Sequence, residues 1–215
     1  MSEPYAHATL LLIRHGQARA DDGSYDENTP LSELGRLQAA RLAYTLAAGA
    51  RPAAVYASPY PRALETAAPL CLKLGVQPVV DPDLAEFQFE SGSFESIQQR
   101  PDLIVWRPER RGVEGGETLG GFSARVSIFC EEVVGRHQGE RVAVFARSGT
   151  IDAAIRWALG FPPDSPWQHE FGLATASVTE VELWPSGRVP GGAPRYSVIR
   201  RTGDVAHLGD LVSEL

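Results

Sequence analysis

Short apolar runs alternate with helical patterns over the first 160 residues, and that alternation is the strongest constraint on the fold. Thr9–Ile13, Ala53–Ala57, Val76–Val80 and Arg141–Ala146 have strand length and are mostly apolar, as strands buried on both faces are. Helical segments lie between them. Thr29-Pro30-Leu31-Ser32 opens the first, with Thr29 or Ser32 as its cap, Glu33 in the first turn, Leu34, Leu37, Ala40 and Tyr44 at helical spacing, and Gly49 as its stop. Pro61 opens a second helix toward Gly75, with a kink or shift expected at Pro69. Phe122, Val126, Phe129 and Val133 form the core face of a longer third helix. A fourth runs through Ile151, Ile155 and Leu159 to Gly160. The expected fold is α/β: a three-layer sandwich, with a mostly parallel central sheet and helices on both faces. Ala176–Trp184 and Arg195–Arg200 read as a closing hairpin, and residues 202–215 carry no strong pattern. One domain over residues 1–215 is expected, with a lid insertion around 88–115.

The ends of three strands carry chemistry. Arg14-His15-Gly16 follows the first strand, at the C-terminal edge where open α/β sheets place their ligand crevice. Arg62 sits at the start of the helix after the second strand, where a helix N-terminus and a guanidinium together suit an anion. Arg147-Ser148-Gly149 follows the strand Arg141–Ala146. Each alone is equally compatible with an ordinary turn or surface arginine. Together, three guanidiniums around a neutral imidazole suit one task, holding a phosphoryl group in line with a nitrogen nucleophile. The cations also disfavour protonation of His15 and keep its lone pair available. A second group must protonate the leaving alkoxide, and Glu86, between apolar residues, is the best candidate.

Composition narrows the partners. A net charge of −7 argues against a general nucleic-acid surface, so an anionic substrate must be met by a local cationic pocket. Cys71 and Cys130 lie in helical segments and predict reduced core thiols. No apolar run approaches the ~20 residues of a spanning helix, and residues 1–7 do not resemble a signal peptide. A cytoplasmic protein, monomeric or homodimeric, without membrane or nucleic-acid partners, is the expectation. His7, His15, His137, His169 and His207 show no metal-ligand spacing, and no cofactor is implied.

These segments resemble the histidine phosphatase superfamily, on its phosphoglycerate-mutase-like branch. Leu11 to Gln17 is similar to that family's strand and Arg-His-Gly signature. Thr29-Pro30-Leu31-Ser32 with Gly35, Ala57-Ser58-Pro59 with Arg62-Ala63 and Thr66-Ala67, Leu84 with Glu86, and Gly116-Glu117-Thr118 with Phe122 and Arg125-Val126 follow in the family's order. The resemblance implies a phosphohistidine at His15, phosphate held by Arg14 and Arg62, a proton donor at Glu86 and no metal. Gln17, Arg147 and Ser148 join the expected phosphate-binding set, with a small phosphorylated metabolite or inorganic phosphate as ligand.

Two departures stand out. The family's second histidine falls at Arg147, which conserves charge but cannot exchange a proton near neutral pH. Either Arg147 is an electrostatic clamp in a working phosphomonoesterase, or the chain binds phosphoesters and turns them over poorly. His169 is a further candidate to replace the missing imidazole. The segment Phe89 to Ser96 also departs from the family's pattern and bears on the substrate side of the pocket. The additional residues by which mutases capture a second phosphorylated acid have no match, which favours a phosphatase over a mutase. A serine hydrolase using Ser148 is disfavoured, because the glycine two residues before the serine is missing.

Overall fold

The computed structural model describes residues 6–19, 26–49, 51–88, 106–184 and 196–213. Its sheet has six strands: β1 (Ala8–Arg14), β2 (Ala54–Ala57), β3 (Val79–Val80), β4 (Arg141–Ala146), β5 (Val178–Trp184) and β6 (Tyr196–Asp204). Their order is β3-β2-β4-β1-β5-β6. The first four in that order run parallel, β5 is antiparallel to β1, and β6 is antiparallel to β5. Among the described residues, four α-helices cover the sheet: α1 (Glu33–Ala48), α2 (Pro61–Leu74), α3 (Leu119–Arg136) and α4 (Ser148–Ala158).

Successive side chains of a strand point to opposite faces, and β1 divides the core in this way. Leu11 and Ile13 join Leu42, Leu46, Ala63 and Leu70 from α1 and α2. Leu10 and Leu12 join Phe122, Phe129, Ile151 and Ile155 from α3 and α4. The expected three-layer arrangement follows directly. The core face expected for α3 is buried at all four positions, and Cys71 and Cys130 are buried free thiols. No helix among the described residues is long and apolar enough to cross a membrane.

Several local expectations need correction. Leu37 and Tyr44 lie on the outside of α1, whose buried face is Gly35, Gln38, Ala39, Leu42, Ala43 and Leu46. Ala and Gly share that face with Leu42 and Leu46, so large apolar residues alone do not mark the core side of α1. The helix cap is Ser32, whose Oγ accepts from Gly35 N–H at 3.1 Å, whereas Thr29 closes a turn with Asp26. Helix α2 continues through Pro69 as one element. Its buried face, Ala63, Ala67, Leu70 and Leu74, holds it against the sheet. The third strand contracts from Val76–Val80 to Val79–Val80, because Pro78 cannot donate to a ladder and the strand is a half-exposed sheet edge. The hairpin partner runs beyond its expected end, as far as Asp204. Most of the expected lid, residues 89–105, lies outside the described residues, as do residues 20–25 of the polar loop after β1.

Candidate active site

The site forms where β1, β4 and β2 end side by side. Arg14 pairs with Ala146 across the ladder, His15 N–H donates to Ala146 O at 2.9 Å, and Ser58 N–H donates to Phe145 O at 2.9 Å. Residues 15, 147 and 58 therefore leave the sheet on one edge. Ala176 N–H donates to His15 O at 3.1 Å and fixes the backbone from the other side. The loop after His15 meets the first turn of α1. A Cβ on Gly16 would lie 2.7 Å from Gly35 O, and one on Gly35 would lie 2.0 Å from Gln17 O. Two bare glycines are what this contact requires. Thr66 Oγ1 accepts from Gly16 N–H at 3.0 Å and completes the support.

His15 is buried at 2% exposure. Its Nδ1 lies 2.7 Å from Gly16 O. A carbonyl only accepts, so Nδ1 carries the proton and the neutral ring keeps its lone pair on Nε2. That Nε2 is buried and has no hydrogen-bond partner among the described residues. Burial pushes the His15 pKa down to about 3, with the guanidiniums of Arg62, Arg14 and Arg147 acting in the same direction and the Gly16 hydrogen bond opposing them. The three arginines thus act on one imidazole, as the sequence pattern predicts. Arg62, buried near the start of α2, donates to Asp26 O at 2.9 Å and Glu27 O at 3.1 Å and lies over the Tyr60 ring. Arg14 donates to Leu173 O. Arg147 occupies the N-cap position of α4.

Glu86 follows a short turn of 3-10 helix, Pro82–Leu84, and is 6% exposed. Its Oε2 accepts from Thr150 N–H at 3.2 Å and its Oε1 from Phe87 N–H at 3.0 Å, so the carboxylate rests on the first turn of α4. Arg125 holds the chain that carries it, donating to Asp83 O and Ala85 O at 2.7 Å each while forked onto Glu117 at 2.6 and 2.9 Å.

Beside these groups lies a cavity of about 290 Å³, lined by Arg14, Glu86, Arg147 and Ser148 and walled by Phe87, Trp106, Phe122, Trp167 and Phe171. Arg14 and Arg147 connect the cavity to His15, through their shared effect on its imidazole. Gln17 is held by α1: its Oε1 accepts from Ser32 Oγ at 2.7 Å and its backbone N–H donates to Gln38 Oε1 at 2.8 Å. His169 lies against Arg156, Phe161 and Phe171 and is not among the residues lining the cavity. Two roles were missed in the sequence. Thr66 is one helical turn from Arg62, a spacing that puts it beside the Gly16 loop. Arg125 is eight residues beyond Glu117, across the helix start, where a pair can clamp a neighbouring loop.

Comparison with known proteins identifies the family. Residues 10–190 match the model of the histidine phosphatase superfamily (branch 1). The chain belongs to this superfamily. It is 27% identical over 186 residues to a putative phosphoserine phosphatase 2 of Hydrogenobacter thermophilus, covering 81% of this chain and 89% of that one. Among solved structures, it superposes on Bacillus stearothermophilus YhfR with a TM-score of 0.73 and 27% identity, covering 94% of this chain and 99% of the other. It also matches the mycobacterial glucosyl-3-phosphoglycerate phosphatase, with a TM-score of 0.70 and 26% identity over 90% of this chain and 97% of the other.

Proposed function

We propose that the chain is a phosphomonoesterase for a small phosphorylated metabolite, working through a phosphohistidine at His15. The observation that carries this reading is the buried imidazole whose proton is held on Nδ1 by Gly16 O, leaving Nε2 unprotonated beside three guanidiniums. Arg62, Arg14 and Arg147 neutralise the phosphoryl oxygens as charge spreads over them. His15 Nε2 attacks phosphorus, and the bond from phosphorus to the alcohol oxygen breaks with its electron pair on oxygen. Glu86, in its acid form, gives that oxygen a proton. Water then attacks the phosphohistidine, Glu86 takes the proton back, and inorganic phosphate leaves. Ser148, on the cavity wall beside Arg147, adds a hydroxyl to the phosphate-binding set.

Arg147 stands in this scheme as an electrostatic clamp in place of a second histidine. Its position beside the cavity and its effect on His15 favour that role. The same position favours a second reading, a protein that holds the phosphoryl group tightly in the ground state and turns it over poorly. The test is phosphate release from a panel of phosphomonoesters with chelator present. The unaltered protein is expected to turn over, with H15A at least about 10³-fold slower and R147H retaining activity. An inert protein that gains activity as R147H would establish the phosphate binder. Turnover surviving in H15A would overturn the mechanism.

A further inference from the structure

The cavity is not uniform. Arg14 and Arg147 line it, aromatic rings form its wall, and Asp152 and Glu170 line it as well. Its volume, about 290 Å³, is at the small end of small-molecule sites, enough for one ring with a short substituent. Asp152 follows Ser148 by one turn of α4, so the two share a helix face toward the cavity. Asp152 is 4% exposed, and Phe171 N–H donates to its Oδ1 at 3.1 Å. Arg156, one turn further along, directs its guanidinium to Ser165 Oγ and Pro166 O at 3.0 Å and toward His169 Nε2 at 3.4 Å. Nothing in the phosphoryl chemistry above uses Asp152. A carboxyl group buried in an apolar wall, beside two further carboxyl groups, carries a desolvation cost that a bound cation would offset.

We propose that the cavity receives the leaving alcohol, and that it selects one with a single-ring apolar body ending in a protonated amine, which Asp152 binds. This rests on the phosphomonoesterase reading and adds the substrate class. The guanidiniums of Arg14 and Arg147 suit a phosphate, and the carboxyl group of Asp152 on the same lining suits an ammonium. A leaving group that ends in a carboxylate gives Asp152 no cation to bind and is disfavoured beside Glu170. The group most affected agrees with this. Burial, with Glu170 and Glu86 adding to it, pushes the Asp152 pKa up to about 8, against the Phe171 hydrogen bond and Arg156, which lower it.

The test uses three phenyl phosphates with para-methyl, para-aminomethyl and para-carboxymethyl substituents, and the three corresponding benzylphosphonates, which cannot be hydrolysed. Phosphate release gives kcat/KM for the esters, and calorimetry gives Kd for the phosphonates. The aminomethyl compound is expected to exceed the methyl compound by about tenfold in both, the size of a hydrogen bond to a charged group, and the carboxymethyl compound to fall below it. In D152N the ratio of aminomethyl to methyl should fall toward one, with the methyl compound as internal reference. Asn keeps an oxygen for Phe171 N–H, so the local fold is preserved. Esters turned over without that order, or with the carboxymethyl compound preferred, would overturn the inference and leave the phosphomonoesterase reading intact. Phosphonates bound in that order by a protein that releases no phosphate would leave the inference standing and overturn the phosphomonoesterase reading.

Discussion

His15 is set by three local facts: a carbonyl that holds its Nδ1 proton, burial, and a surround of guanidiniums. The carbonyl fixes which nitrogen carries the proton, while burial and the guanidiniums, against that hydrogen bond, keep the ring neutral. In the proposed mechanism the unprotonated form is the nucleophile, and with a pKa pushed down to about 3 it remains unprotonated throughout mildly acidic solution. The acid limb of kcat/KM therefore does not report His15 at the ordinary histidine value of 6.5. It should follow the second ionisation of the substrate phosphate, about 6 for a phosphomonoester, and move when a substrate of different phosphate acidity is used. Profiles over several substrates check this. A limb fixed near one pH for all of them would contradict the assignment. At this scale the placement of Arg14, His15, Arg62 and Arg147 at the ends of strands was legible in the sequence, because turn residues punctuate each strand. Asp152 was not legible as a residue of the cavity lining. Its helix pattern looks like any other amphipathic turn, and only the folded α4 shows it facing the cavity. Gln17, placed in the phosphate-binding set with the signature segment Leu11 to Gln17, has its carboxamide oxygen bonded to Ser32 at the start of α1.

At the scale of elements, the site depends on a close approach between the start of α4 and the loop that carries Glu86. A Cβ on Gly149 would lie 2.3 Å from Glu86 Oε1 and 3.0 Å from its Cδ. G149A is expected to displace the carboxylate while α4 stays folded, since a side chain and not backbone must move. The predicted outcome is a kcat lower by about 10²-fold, the lower end of what a proton donor contributes, with Tm changed little. Kinetics and a thermal melt on the same sample separate the two. A large loss of Tm would instead make Gly149 a packing residue. The order of strands and helices was readable from period and punctuation. The face of α1 was not, because Gly35, Ala39 and Ala43 bury a helix as effectively as leucines do when its partner is close. Nor was the length of β3, where Pro78 and an exposed edge limit pairing to two residues.

The whole molecule is a sheet with a separate apolar core on each face, and its strand ends gather charge on one edge. This division explains why so much of the architecture could be read: β1 alternates Leu10 and Leu12 with Leu11 and Ile13, and both sets need cover. The site edge combines contributions from residues 14–16, 62, 86 and 147–152, which are far apart in sequence, so their common location became readable only through the strand alternation. The cavity was harder to anticipate. Its wall draws on Trp106 and Trp167, which pair backbone to backbone across a single bridge between two irregular segments. Irregular segments carry no period from which a sequence can place them.

The central claim is that His15 accepts the phosphoryl group. The most direct measurement is rapid quenching under alkaline conditions, where phosphohistidine survives, after mixing the protein with a phosphomonoester in excess. Peptide mass spectrometry would then locate the modification. The predicted result is a phosphoryl group on the peptide containing His15, lost on acidification and absent in H15A. Turnover without phosphate on that peptide, or with phosphate on Ser148, would contradict the account.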